Sequence, residues 1–463
     1  MGMLKKVILI LFILSKINLS LADEEINVYF PWDKENKRLA IEKLLHSKPY
    51  DDVNPRWSLD GKMIAFERIS REGNSFQQIC YFDVTDYDIL PIVELKEKTK
   101  FVLGEEMSGK TKEGKDLYAS YFCWKPLSRE KKEYEFLDKA MRELEEAKKK
   151  AIKLGIKRDE LDKIDQYIYE AEDYKRRKAY DTSLNFVKKA LTILNLSIQQ
   201  FVFSKDFNLY KGIIIGNSKE IFPLVTLENI TNTYPDWSKK DEIVFVSGLT
   251  GNGDIYLLPQ DASQDKMKRL TDNKEIDLYP QWSPDGTKIV YSTYKQGNMD
   301  LYILAELDKP KPSHTQLTNL PTFEVFPTWS KNGEKIAFYG VRTQSAEPIA
   351  DLYVINSDGS SPPRKVAERV LRTEKYGPTW LPSKFGNKII YISQFRDNIF
   401  IIDVDTGRKC RLKIDDKVIS DIDCIYYKGK KEETLLIVYS AQYKNGRMRI
   451  FIKGIKPEDI PKE

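Results

Sequence analysis

The chain has 463 residues, of which 41% are hydrophobic, 12% aromatic and 31% charged, a globular composition that excludes a disordered chain. Lys and Arg (75) nearly balance Asp and Glu (70), and the formal charge of +5 is too small for a bulk nucleic-acid footprint. With two histidines (His46, His314) and four cysteines (Cys80, Cys123, Cys410, Cys424), His-based triads, proton shuttles and metal sites are short of parts.

Residues 1–22 read as a cleavable secretory signal. Lys5 and Lys6 form the basic region, Val7 to Leu14 a short apolar run, and Ser20-Leu21-Ala22 a small-residue cleavage site. A membrane anchor is the alternative, but Lys16 and Asn18 interrupt the run well short of the roughly 20 apolar residues a span needs. Cleavage after Ala22 removes three lysines and no acid, taking the charge from +5 to +2. The expected mature protein is periplasmic or secreted, with no membrane span.

A repeat then organises the chain. Its clearest copy runs Tyr279-Pro280-Gln281-Trp282-Ser283-Pro284-Asp285-Gly286, a strand at Ile289-Val290-Tyr291, a second at Asp300-Leu301-Tyr302, and Gln316-Leu317-Thr318. An early copy surrounds Trp57, and others surround Trp237, Trp329 and Trp380; the tryptophans from 237 to 380 are 45, 47 and 51 residues apart. A four-stranded unit of this period, with Asp-Gly turns between strands, is the sequence form of a β-propeller blade. The repeated Trp is most simply a packing residue at a repeated interface.

Two units are disguised. Trp124 opens one whose second strand comes only at Phe201-Val202-Phe203-Ser204. In the last unit Cys424 replaces the Trp and a fourth strand is missing; Lys37-Arg38-Leu39-Ala40 resembles Lys268-Arg269-Leu270-Thr271 and could supply it from the N-terminal side. The count predicts a mainly β, seven-bladed propeller, or six blades if the C-terminal unit does not close the ring. The domain reading is 23–126 and 201–463 for the propeller and 127–200 for an insertion in the second blade.

That insertion is dense in Lys and Glu. Apolar residues at helical spacing, such as Leu137, Met141 and Leu144, then Leu161, Ile164 and Ile168, then Leu184, Val187 and Leu191, predict three helices. Their narrow stripes suit an antiparallel, coiled-coil-like arm, with a helix of 26 residues reaching about 39 Å. The arm reads either as a partner-binding element or as a solvated spacer.

Gly104 to Thr111 matches the phosphate-loop pattern by letters, but no amphipathic helix follows, so it reads as an inter-blade loop. No Gly-x-Ser-x-Gly elbow exists. The cysteines lack zinc spacing; Cys410 is expected on an outer strand and Cys424 on the next inner strand, beyond disulfide reach. No catalytic residue, metal site or cofactor is expected. Residues three before each repeat Pro, namely Asp52, Asn232, Asp277, Glu324 and Lys375, are expected around the channel mouth. They form either a ring that binds a cation or basic peptide, or a hydrated funnel.

The recurrent Pro-x-Trp-Ser-x-Asp-Gly unit followed by an Asp-Ile-Tyr strand resembles the TolB-like propeller repeat, over roughly residues 53–125 and 201–452. The resemblance implies an exported bacterial propeller that binds other envelope proteins. The α/β domain that precedes the propeller in the family's namesake is not expected here. The same repeat occurs in propellers of prolyl-oligopeptidase-like peptidases and oligogalacturonate lyases, so fold resemblance alone leaves function open. The expectation is therefore a non-enzymatic binder of an envelope protein, acting through the channel face or the arm. The alternative is an enzyme or receptor that handles a saccharide or peptide in the channel.

Overall fold

The computed structural model describes residues 24–27, 50–58, 61, 63–70, 77–83, 100–101, 119–124, 137–153, 156, 158–177, 179–194, 198–205, 207–215, 218–259, 262–342, 349–373, 376–428, 433–443 and 446–460. The expected signal segment 1–22, Lys37-Arg38-Leu39-Ala40, His46, Gly104–Thr111 and Lys375 lie outside them.

Seven sheets follow one another along the chain as the blades of a seven-bladed β-propeller. Five are four-stranded antiparallel meanders, represented by Asn232–Trp237, Ile243–Ser247, Asp254–Leu258 and Lys268–Arg269. In the sheet of Thr379–Trp380, Lys388–Ile392, Ile399–Asp403 and Lys409–Lys413, the N-terminal strand Glu24–Asn27 adds a fifth member, parallel to Lys409–Lys413. The last sheet has three described strands, Ile422–Lys428, Glu433–Gln442 and Met448–Ile455. Contacts divide the chain into two compact units. One comprises Met1–Arg56, Tyr294–Ile303 and Thr315–Glu463; the other comprises Trp57–Thr293 and Leu304–His314.

The repeat letters translate into local chemistry. After Trp57, Trp282 and Trp329, a Ser hydroxyl closes the turn to the second strand. Ser283 Oγ accepts the amide of Lys288 at 2.9 Å, as Ser330 accepts Lys335 at 2.9 Å and Ser58 accepts Met63 at 2.9 Å. Gly61, Gly286 and Gly333 in those turns have φ of 70°, 70° and 78°, a region that favours glycine. Trp57, Trp237, Trp282, Trp329 and Trp380 are buried. Trp237 shows why: it packs with Val202, Leu209 and Val225 of the preceding sheet and with Ile243 and Phe245 of its own.

Before Trp237 and Trp329 the inner strand bulges. Pairing slips between Thr233 and Asp236 and between Val325 and Thr328. Directly before the repeat Pro, Asn54, Tyr234, Tyr279 and Phe326 have φ of 54°, 52°, 57° and 52°. A non-glycine residue directly before Pro disfavours the helical wells, so the repeat holds about 1–3 kcal/mol of strain at each such residue against its packing.

Three helices, α1 (Leu137–Lys153), α2 (Arg158–Arg176) and α3 (Tyr180–Ile193), fall in chain order between the strands Ala119–Trp124 and Ile198–Lys205, which pair with each other. Their 17, 19 and 14 residues make the longest about 28 Å, shorter than the spacing of apolar residues predicts. Leu137, Ala140, Leu144, Ile164, Ala171, Leu184, Val187 and Leu191 form one buried core, and Phe222 of the strand Ser218–Val225 packs against it. Ser183 Oγ donates to the Ala171 carbonyl at 2.5 Å, tying α3 to α2. Among the described residues no helix is long and apolar enough to cross a membrane.

Gly377 stands directly before Pro378, at the sequence position that Tyr234, Tyr279 and Phe326 hold in other units. A Cβ there would lie 2.2 Å from the Phe326 carbonyl oxygen and 2.3 Å from Thr328 Cγ2. Gly377→Ala should therefore destabilise the protein by about 1–3 kcal/mol, read as a lowered urea midpoint with unchanged slope; an unchanged midpoint contradicts this packing.

Candidate functional site

The candidate site is built on the inner strands. The residue between Pro and Trp reaches the next sheet: Thr328 Oγ1 donates to the Pro378 carbonyl at 2.8 Å, and Thr379 Oγ1 to the Ile422 carbonyl at 3.1 Å. Asp236 accepts the amide of Trp282 at 2.8 Å, and Trp380 Nε1 donates to the Thr328 carbonyl at 3.1 Å. These bonds line up successive inner strands without help from side-chain periodicity.

Asp52, Asn232, Asp277 and Glu324 are all buried, at 1%, 0%, 0% and 0% exposure. Three of them bind their own chain. Asn232 Oδ1 accepts Ser247 Oγ at 2.8 Å, and its Nδ2 donates to the carbonyls of Phe207 and Ile230 at 3.0 and 3.2 Å. Asp277 accepts Thr293 Oγ1 at 2.8 Å and Asn273 Nδ2 at 3.0 Å. Glu324 accepts the amides of Leu320 and Leu301 at 3.0 and 3.3 Å, and the Thr318 hydroxyl.

Two further residue types complete this arrangement, and the sequence reading had used both only as strand markers. One is the Thr of each Leu-Thr pair. Thr271 Oγ1 accepts the Ile255 amide at 2.9 Å, and Thr318 Oγ1 accepts the Leu301 amide at 2.8 Å. The other is the Asp that opens the third strand. Asp254 pairs with Arg269 at 2.9 Å, and Asp300 accepts Asn298 Nδ2 at 2.9 Å and Gln316 Nε2 at 3.3 Å. Recurrence of Leu-Thr in step with Asp-x-Tyr was the available signal.

Burial governs the acids. It raises Asp277 to about 6, against the opposing bonds from Thr293 and Thr271. It raises Glu324 to about 7 despite three donors, with Asp300 adding to the rise. His314 is held below its ordinary range by burial and lies 3.0 Å from the Tyr291 hydroxyl through Nδ1. Among the described residues no group of three or more His, Cys, Asp or Glu side chains could hold a metal ion. Cys410 and Cys424 stand on an outer strand and on the first strand of the next sheet; Cys424 Sγ donates to the Trp380 carbonyl at 3.7 Å.

No family model matches the chain. It is 34% identical over 96 residues to the Tol-Pal system protein TolB of Desulfosudis oleivorans, covering 20% of this chain and 21% of that protein. It is 43% identical over 61 residues to a protein TolB homolog of Chlorobaculum tepidum, covering 13% and 14%. The chain carries a TolB-like β-propeller. The TolB-like match spans about a fifth or less of those curated relatives' length. Among solved structures, a puromycin-hydrolysing peptidase of Mycobacterium tuberculosis aligns over 95% of this chain and 58% of its own, at TM-score 0.50 and 11% identity; that likeness shows the fold alone.

The raised Glu324 has a consequence for stability. The folded state binds this proton more tightly than the unfolded chain, so stability should rise as pH falls from about 7 toward 4.5. At about 1.4 kcal/mol per pH unit, the full effect is on the order of 3 kcal/mol. Glu324→Gln should flatten this part of the pH profile of urea unfolding relative to wild type. Parallel profiles for the two proteins would contradict the assignment.

Proposed function

We propose that this protein is exported, with its signal cut after Ala22, and that its TolB-like propeller binds a protein partner in the cell envelope without catalysing a reaction. The observation that carries the reading is the 34% identity over 96 residues to a Tol-Pal system protein. The site chemistry supports it: three of the inner-strand polar groups that could have converged on a substrate are buried and bonded to the chain itself. Contact through the channel face or through α1–α3 would suit such a partner. The helices support the second route by having their own buried core, which gives a rigid surface.

Cross-linking in the native envelope, followed by recovery of the full chain and of a chain lacking 127–200, tests this. A specific envelope protein should be recovered with the full chain. Its retention by the shortened chain assigns the contact to the propeller, and its loss assigns it to the helices. Recovery of no specific protein contradicts the proposal.

A further inference from the structure

Eight large hydrophobic side chains are exposed among the described residues, and they are unevenly placed. Ile152 and Tyr169 lie on α1 and α2, and Tyr427 lies where its inner strand turns into the second strand. The other five are Phe207, Leu249, Ile276, Tyr294 and Phe395. All five lie at the opposite end of their sheets, where the second strand turns into the third and the inner strand begins.

Within the unit of Trp57–Thr293 and Leu304–His314, three of them form a row across three successive sheets. Phe207, 62% exposed, occupies the turn between Ile198–Lys205 and Asn208–Ile215. Its carbonyl accepts the Asn232 amide at 2.8 Å and Asn232 Nδ2 at 3.0 Å, which fixes it to the head of the next inner strand. Leu249, 43% exposed, lies in the turn of that next sheet, where the Gly248 amide donates to the Thr231 carbonyl at 2.8 Å. From the same turn the Gly253 carbonyl accepts the Asp277 amide at 2.8 Å, and Asn252 Nδ2 donates to the Glu275 carbonyl at 2.6 Å. Ile276, 41% exposed, therefore stands beside this turn, its Cγ2 3.3 Å from where a Cβ on Gly253 would lie. Phe207 is held at φ of 64°, a conformation that bulky residues rarely adopt and that is retained where function needs it.

The polar groups around the row leave it without a strong charge. Asp254 pairs with Arg269 at 2.9 Å and accepts the Thr250 hydroxyl. Asn232 and Asp277 are buried. Thr231, Thr250 and Gly251 are exposed and uncharged, and Asp272, Lys274 and Glu275 nearly balance. A strongly acidic or basic partner finds no complement here, and the basic flank that holds apolar residues to a lipid surface is missing. Exposed apolar side chains gathered on one end of rigid elements mark a protein contact. The other unit shows the same preference by itself: Phe395 is 75% exposed, and Tyr294 meets Phe323 edge-on at 5.9 Å.

We infer that the row Phe207–Leu249–Ile276 is the docking surface for an uncharged, apolar segment of a protein partner. This rests on the envelope-partner reading and gives that partner its contact chemistry.

The test places the photo-cross-linker benzoylphenylalanine at position 249, 276 or 427 of the full chain in the native envelope. Positions 249 and 276 should capture one and the same protein, and position 427 should not. Phe207→Ser should lower capture from position 249 at least about fivefold, and Leu249→Lys should do the same to capture from position 276. Both changes are at exposed side chains, and Tyr427→Ser, also exposed, should leave both captures unchanged. Capture that neither Phe207→Ser nor Leu249→Lys alters, or that is equally strong from position 427, overturns the site and leaves the envelope-binding reading standing. No capture from any position overturns the site, and if chemical cross-linking of the unsubstituted chain also recovers nothing, the envelope-binding reading falls with it. A cross-link to a second copy of the chain overturns the assignment in favour of self-association. Sedimentation of the purified chain with phosphatidylcholine vesicles, lost in Leu249→Lys, overturns it in favour of a lipid surface.

Discussion

The bonds at Glu324 hold together the element on which the repeat depends. This carboxylate sits on an inner strand, yet its donors are the Leu301 amide in the preceding sheet and the Thr318 hydroxyl and Leu320 amide around the connection between the two sheets. A meander of four strands has two faces to cover, and apolar packing alone is indifferent to sliding of one sheet along the next. A buried acceptor with several fixed donors is not, because a slip strands buried donors at about 1–3 kcal/mol each. Asp277 and Asn232 repeat the solution with different partners. The buried tryptophans then supply apolar contact area, and the Thr and Asp between Pro and Trp set the inner strands in register.

The helices obey a separate logic. Their mean composition is polar, but each contributes a few residues to one core, and Phe222 of a propeller strand joins it. The helical core thus touches a propeller strand through Phe222, with the Ser183–Ala171 bond fixing α3 against α2. Outward faces remain charged, as in the α2 run Asp159, Asp162 and Asp165, of which Asp165 pairs with Lys148.

Much of this was legible in the sequence because the repeat is local. The Trp-Ser-x-Asp-Gly letters define a turn within a few residues, and the period of 45 to 51 residues defines the blade. The interrupted unit could also be read, since Phe201-Val202-Phe203-Ser204 looks like Val244-Phe245-Val246-Ser247. Position three before Pro was legible as a position and not as an environment: the carboxylate of Glu324 is bonded by a Leu-Thr hydroxyl only six residues earlier, at Thr318, a pairing that strand spacing alone does not signal.

The propeller's own junctions use three of the polar groups that periodicity singles out. The acid at Glu324 belongs to a junction between sheets. Amide hydrogen exchange at Leu301 and Leu320, in wild type and in Glu324→Gln, tests this most directly. Both amides should be slow in wild type and should accelerate together in the variant, at least about tenfold. Exchange at both sites that is unaffected by the substitution would contradict it.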